Sequence, residues 1–368
     1  MKLLQCSVKN FRIITDQKFE FTDGVNLIKG NNAQGKTTVL EAIYVFARGR
    51  SFRTRNEAEI ISFDSDAAKL SIVYEDYQRE NTMSVNYKRE GNRELFLNEI
   101  EIKKTSEFIG NFRAVLFTPD HLSLIKSAAP DRRLFLDIAL SQIEPKYIGY
   151  LKKYSLLLSQ RNALLKERNA DSPESLILFE TLAEQMAPAA AKITALRCKY
   201  CEKLTGHISK YFEEMTGGTE ITDTVYESCI SADNDVLKDE EEAERLYERK
   251  FIDNLQREIN LKSSLYGPNK DDIDIKLNGY SSRKYCSQGQ QRSLAIALKL
   301  AEGDISAEAT KEYPVYLLDD ISGELDIKRN AFFMSQLKNR QIIITSCNMN
   351  SRKKFDNVIT MKNGGVVK

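Results

Sequence analysis

The stretch GNNAQGKTT (Gly30–Thr38) constrains the fold of this chain more than any other. It fits the pattern G-x-x-x-x-G-K-[ST]. An apolar run ending in glycine, GVNLIKG (Gly24–Gly30), precedes it; KTTVLEAIYVFARG (Lys36–Gly49), with helical apolar spacing and a glycine stop, follows it. Strand, glycine-bearing loop and helix in that order separate a phosphate-binding loop from a chance glycine turn. Gly30 and Gly35 let the loop curl so that backbone N–H groups face a β-phosphate. The candidate nucleotide contacts are therefore Gly30, Asn31, Asn32, Ala33, Gln34, Gly35, Lys36, Thr37 and Thr38. Lys36 is expected to place a point charge on the β- and γ-phosphate oxygens and so to serve catalysis as well as binding, and Thr37 to offer its hydroxyl to Mg²⁺.

The other half of such a site is a carboxylate at the end of a buried strand, and VYLLDD (Val315–Asp320) has that form. Asp319 is expected to hold Mg²⁺, directly or through water, and Asp320 to orient the attacking water as the base. Paired carboxylates at a strand end can also be a solvated cap, a reading that weakens once the P-loop is present.

With 368 residues the chain is expected to form two or three domains, and 42% hydrophobic against 29% charged residues argues against global disorder. A net charge of +1 means that any nucleic-acid contact must come from local basic patches. The opening MKLLQCSVKNFRIITDQKFEF alternates as a strand does and unlike a signal peptide, and no window approaches the roughly 20 apolar residues that span a bilayer. No membrane association and a cytoplasmic location are expected. The six cysteines are expected to be free thiols, and Cys198 and Cys201, a lone CxxC in a helical run, to be two thiols of one helix face, not a metal or redox pair.

The ends of the chain read as strand-rich and its middle as helical. AKLSIVYED, TMSVNYKRE and ELFLNEIEI predict three strands of a meander with a turn at Gly91–Asn92, and FRAVLFTPD (Phe112–Asp120) a buried strand. From about Pro130, long amphipathic helices bounded by Asp171–Ser172–Pro173 and Gly217–Gly218 predict an antiparallel helical hairpin, a protruding arm. DVLKDEEEAERLYERKFIDNLQREINLK reads as one acidic helix with a solvated face. Strand character returns at DIDIKLNGY, YPVYLLDD and QIIITSCN, before a last hairpin, NVITMKNGGVVK. The expected fold class is α/β: a nucleotide-binding head made of residues 1–125 and 273–368, with a mainly helical domain, residues 126–272, inserted.

CSQGQQRSLAIALKLAE (Cys286–Glu302) is surplus to a simple P-loop enzyme, because cradle, metal ligand and base are already supplied. It places Ser287, Gly289 and Gln290 at a helix N-terminus, where unpaired N–H groups and roughly half a positive charge suit a phosphate. The turn makes sense if it meets the γ-phosphate held by a second copy of the chain, so that two copies meeting head to tail close two composite sites.

SQGQQ matches the signature motif of the ABC-type ATPases of chromosome maintenance, the SMC group, and SGELD (Ser322–Asp326) matches their dimer-contacting loop. With LLQCSVKNFRIITDQKFEF, GNNAQGKTTVLEAIYVFARGRSFRT, FTPDHLSLIKSAAPDRRLFLD, YGPNKDDIDIKLNG and YLLDDISGELD, these motifs make essentially the whole chain resemble the RecF family within that group. The resemblance implies an ABC-type P-loop ATPase head with an inserted helical arm, ATP and Mg²⁺ as cofactors, an ATP-dependent homodimer, and weak, DNA-stimulated ATP hydrolysis used as a switch. It also implies binding to double-stranded DNA at gap junctions and, with RecR and RecO, loading of RecA onto strands coated by single-strand-binding protein. The chain departs from the family pattern in three places. GPNKDD (Gly267–Asp272) carries Asn269 and Lys270 where the family reads His-Arg, losing a planar bidentate fork. The only histidines are His121 and His207, so a switch after QIIITSCN falls to Thr345 or Ser346 or is missing. FTPDHL lacks the Gln of the metal-sensing loop and has Pro119 and Asp120 in its neighbourhood.

Arg48, Arg50, Arg53 and Arg55 in ARGRSFRTR either reach the nucleotide and dimer face or contact DNA phosphates, with a solvated surface as the plain alternative; Arg12 is a further phosphate candidate. KKY (Lys152–Tyr154) and RKK (Arg352–Lys354) read as ordinary surface. Two other classes compete. A P-loop small-molecule kinase leaves SQGQQ and SGELD without purpose, and an ABC transporter motor expects a membrane partner and the switch histidine.

Overall fold

The computed structural model describes residues 1–218, 220–347 and 355–367, so Arg352–Lys354 lie outside the described residues. The chain divides into two compact units, Met1–Ser123 with Gln288–Lys368, and Leu124–Ser287.

The first unit contains two six-stranded sheets. One runs in the order Gly365–Val367, Asn357–Lys362, Val25–Lys29, Ile342–Ser346, Val315–Asp319, Ala114–Phe117, and every neighbouring pair except the terminal hairpin is parallel. VYLLD and IIITS are buried at every position, as strands covered on both faces must be. Helix Lys36–Arg48 packs on this sheet and also against strand Lys2–Phe11, with Val39, Leu40, Ile43 and Phe46 fully buried, and Gly49, left-handed at φ 77°, ends it.

The second sheet is antiparallel, in the order Ile14–Glu20, Lys2–Phe11, Ala67–Glu75, Glu80–Lys88, Glu94–Leu97, Ile100–Ile102. AAKLSIVYE and ENTMSVNYK alternate buried and more exposed positions, so one face only is covered. ELFLNEIEI is two strands and not one: Asn98 and Glu99, at φ 49° and 67°, form a two-residue turn between them. The opening run likewise folds back on itself at Arg12–Ile13, with Phe11 paired to Ile14.

The second unit is built on the helix Pro173–Thr216, 44 residues long. The breakers act as expected. Ser172 caps the start by accepting from the Ser175 N–H, Pro173 occupies the first turn, and Gly217 ends the helix in the left-handed region. Helices Tyr147–Leu164 and Glu240–Asp253 pack against it. Arg161 donates to Glu258 at 2.9 Å with both side chains fully buried and its guanidinium over the rings of Phe179 and Phe251. The acidic run is three helices, Asn234–Lys238, Glu240–Asp253 and Leu255–Leu261: Asp233 caps the first, Asp239 follows it and caps the second, and the third begins after Asn254 without a side-chain cap. Residues 272–287 belong with this unit, since Asp272–Leu277 pairs along its length with Thr222–Glu227. The GPNKDD loop is tied into the same body: Asn269 accepts from the Tyr154 hydroxyl at 2.6 Å, and Asp272 from Arg132 and Arg283. Tyr154 is therefore buried, against the surface expectation for KKY, while Lys152 and Lys153 are exposed.

Candidate nucleotide-binding site

Strand register assembles the site before any side chain is considered. In the parallel sheet Ile28 lies beside Thr345, and Thr345 beside Asp319, so the carboxyl ends of three strands meet where the P-loop leaves Lys29. Open parallel sheets bind ligands at that edge. A Cβ on Gly30 would lie 2.5 Å from the carbonyl oxygen of Met361, and Gly35 sits at φ 96°, so both positions need glycine. Helix Lys36–Arg48 begins without a side-chain cap or an acidic residue in its first turn, which leaves its N–H groups and positive dipole end to a ligand. Lys36 donates to the carbonyl oxygens of Gly30 and Asn31, both at 2.8 Å, and lies 3.2 Å from the Cys347 sulfur. Its ammonium is buried and already directed into the loop.

The carboxylates stand opposite. Asp319 Oδ1 accepts from the Thr37 hydroxyl at 2.9 Å and from the Thr345 hydroxyl at 2.7 Å, and the Thr345 oxygen in turn accepts from the Asp320 N–H at 3.0 Å. Thr37 and Asp319 thus present adjacent hard oxygen atoms that could hold Mg²⁺. Asp320 turns the chain at φ 50° and is exposed. Cys347, which sequence reasoning passed over, donates to Asn32 Oδ1 at 2.6 Å and lies 3.9 Å from Asp320 Oδ2. Together these residues line a cleft of about 540 Å³, large enough for a nucleotide.

Arg12 and Arg53, both candidates from the sequence, are anchored by a residue that sequence reasoning missed. Glu41, fully buried on the P-loop helix, accepts two bonds from Arg12, both at 2.6 Å, one from Arg53 at 3.2 Å and one from the Ser51 hydroxyl. It holds Arg12 and Arg53 at the wall of the cleft, which both line. A lone Glu on an otherwise apolar helix face was the available signal, because a buried carboxylate needs partners. Arg48 instead donates to the Ser51 carbonyl, and Arg50 and Arg55 are exposed.

Asn32, Ala33, Gln34, Gly35, Lys36, Thr37, Thr38, Asp319 and Asp320 all line the cleft. Gly289 and Gln290 do not. They form the first turn of helix Gln288–Thr310, and Ser287 precedes it as the last residue of the other unit. In SGELD, Asp326 caps helix Ile327–Gln336 through the Arg329 N–H, and Arg329 reaches Ser293 on the signature helix at 2.9 Å. Thr345 is in the site; Ser346 is buried. Asp120 is exposed, whereas His121 Nδ1 accepts from the Thr118 N–H at 3.0 Å. Burial, with the charges of Lys299 and Arg48, holds the His121 pKa well below the usual imidazole range. Cys198 and Cys201 are free and buried; burial pushes the Cys198 thiol up to about 12, and no group of three or more metal-binding side chains occurs among the described residues.

The chain matches the RecF/RecN/SMC N terminal domain family over residues 2–367. The DNA replication and repair protein RecF of Ruminiclostridium cellulolyticum is 35% identical over 96% of this chain and 94% of its own length. RecF of Thermoanaerobacter sp. is 34% identical over all of both chains. The chain belongs to the RecF family. A solved structure of the recombination mediator protein RecF with ATP, in the RecFOR pathway, has a TM-score of 0.92 at 34% identity and covers 100% of this chain and 97% of that chain. An SMC head bound to the C-winged helix domain of ScpA is alike in fold alone, with a TM-score of 0.56 at 16% identity over 100% of this chain and 96% of that chain. The fold is that of an ABC-type ATPase head carrying an additional unit, and membership of the RecF family makes the chain a recombination mediator of DNA replication and repair. Among the described residues no helix is long and apolar enough to cross a membrane.

Proposed function

We propose that the chain is an ATP-gated clamp of recombinational repair, which dimerises head to tail on ATP–Mg²⁺, binds double-stranded DNA at single-stranded gaps and, with RecR and RecO, promotes loading of RecA. The observation that carries this reading is Asp319 Oδ1, shared between the Thr37 and Thr345 hydroxyls beside Lys36, in a chain of the RecF family. Lys36 and the P-loop N–H groups bind the phosphates, Thr37 and Asp319 hold Mg²⁺, and Asp320 orients water. Ser287, Gly289 and Gln290 meet the γ-phosphate of the second copy, which gives the signature turn its purpose. Hydrolysis is slow and resets the clamp. Basic side chains such as Arg50 and Arg55, exposed in each copy, contribute to a DNA-binding surface whose affinity falls steeply with salt.

Solution mass by light scattering tests the reading, without nucleotide, with ADP, and with ATP–Mg²⁺, using Asp320→Asn to slow hydrolysis. Doubling with ATP–Mg²⁺ alone is expected. Lys36→Met should not bind ATP in equilibrium dialysis, whereas Ser287→Arg should bind it and stay at monomer mass. A mass indifferent to bound ATP, or a Ser287→Arg chain that dimerises normally, refutes the composite site.

A further inference from the structure

Helix Pro173–Thr216 carries a line of lysines without counter-charges. Lys192, Lys199, Lys203 and Lys210 follow one another at helical spacing, so all four fall on one stripe. Lys199, Lys203 and Lys210 are exposed and Lys192 is half-buried. None of the four makes a salt bridge among the described residues. Lys192 and Lys210 lie over the rings of Tyr150 and Tyr211, at 5.1 and 5.2 Å, which steadies them without neutralising them. Glu202 is the only acidic residue between Lys192 and Lys210, and it is already bonded to Lys238 at 3.2 Å. Like charges four residues apart, as Lys199 and Lys203 are, weaken a helix, and a carboxylate at that spacing would strengthen it. Gly206 stands on the same side of the helix, exposed between Lys203 and Lys210, and a Cβ there would meet nothing within 4 Å. Neither packing nor a left-handed backbone requires glycine at this position, although glycine inside a helix costs stability relative to alanine. Helix stability is given up twice here, for unrelieved charge and for bare backbone.

A row of anions that comes close to the helix suits both features. At 1.5 Å per residue the stripe is about 27 Å long. A nucleic-acid backbone offers phosphates in a regular row over such a length, and on a duplex about 27 Å corresponds to roughly eight base pairs. An acidic protein surface sets its carboxylates among other side chains and gains nothing from bare backbone at Gly206. We propose that the Lys192–Lys210 stripe seats the phosphate backbone of duplex DNA on the helical unit. The contact is one of charge and close approach, so it positions the duplex without reading its sequence. The inference rests on the reading of the chain as a DNA-binding protein. To the exposed arginines already named, Arg50 and Arg55, it adds a second surface, carried by residues of Leu124–Ser287 and complete within each copy.

Fluorescence anisotropy of a labelled DNA duplex tests it, with the full chain, ATP–Mg²⁺ and a series of salt concentrations. Each phosphate neutralised contributes about 0.9 to the slope of log affinity against log salt. Changing all four lysines to glutamine is expected to flatten that slope by roughly 3–4, and Lys203→Gln alone by roughly 1. Changing all four to arginine keeps the charge and should keep the parent's slope. Gly206→Glu, at a position with room for a side chain, sets a carboxylate among the lysines and should weaken duplex binding by itself. ATP binding in equilibrium dialysis and the melting temperature should not fall in the glutamine variant, which only relieves repulsion. A glutamine variant with the parent's slope and affinity overturns the proposal, as does an arginine variant that loses as much as the glutamine one. A glutamine variant that binds duplex normally but no longer binds polyglutamate also overturns it, by assigning the stripe to an acidic protein. Failure of the unaltered chain to bind any duplex sinks the DNA-binding reading itself, a result distinct from the others.

Discussion

Replacing Thr345 by valine tests whether its one hydroxyl links the Asp319 carboxylate to the backbone that places Asp320. The residue is fully buried, and valine keeps its β-branched shape in the parallel sheet. What disappears is the bond to Asp319 Oδ1 at 2.7 Å and the acceptor for the Asp320 N–H at 3.0 Å. A hydrogen bond to a charged group contributes about 1.5–3 kcal/mol, and a buried donor left without its acceptor costs about 1–3 kcal/mol. Asp319 keeps Thr37 as a donor and the exposed Asp320 side chain lets water approach, so the lower ends apply and sum to about 2.5 kcal/mol. For a unit of this size that lowers the melting temperature by roughly 5–10 °C. Thermal unfolding by calorimetry measures it, with the head transition recognised by its rise on adding ATP. Thr345→Ser keeps the hydroxyl and should recover most of the loss. Thr345→Val should still bind ATP but hydrolyse it on the order of 10–100-fold more slowly in single turnover, because Asp320 is no longer positioned. A Thr345→Val chain that melts with the parent, or a Thr345→Ser chain that falls as far, would refute the reasoning.

Glu41→Gln keeps the volume of a buried side chain but removes the charge that neutralises Arg12 and Arg53. Stability should drop by about 3 kcal/mol in thermal unfolding, mostly through Arg12, since Arg53 is 43% exposed and can rehydrate. ATP affinity should fall several-fold in dialysis as the two guanidinium groups lose their anchor. His121 gives a pH signature: its folded pKa lies well below the unfolded value of about 6.5, so its contribution is present above that pH and is lost as pH falls towards the folded pKa. His121→Asn, which keeps an acceptor for the Thr118 N–H, should flatten the decline in melting temperature below about pH 6.5; an unchanged slope would show that His121 is not its source.

The features legible in the sequence are local ones. The P-loop is a contiguous pattern with both flanks readable, VYLLDD announces a buried strand ending in carboxylates, and Ser172–Pro173 and Gly217 mark a helix from both sides. The features that escaped depend on unusual residues or distant partners. Asn98–Glu99 makes a tight turn with no glycine to signal it, and Asp239 looks like a member of an acidic run until its side chain is seen capping a helix. Glu41 reads as an odd residue on an apolar face because its partners lie 29 and 12 positions away. Cys347 reads as a stray thiol at the end of a strand, since only the fold brings it to Lys36 and Asn32. Asp272–Leu277 reads as a strand correctly, but its pairing with Thr222–Glu227, which decides the unit it joins, has no signature in composition.

The strand that carries the P-loop, Val25–Lys29, has Ile342–Ser346 on one side and Asn357–Lys362 on the other. Both neighbours come from the far end of the chain, whereas the antiparallel sheet needs nothing beyond Ile102. During synthesis at about 5–20 residues per second, the antiparallel sheet can form early while the P-loop strand waits on the order of tens of seconds with both edges unpaired. Unpaired apolar edges invite wrong pairing, so this interval is when a nascent chain is most exposed to aggregation. It also means that a ribosome stalled before the last strands releases a protein with every phosphate-binding residue and no phosphate site.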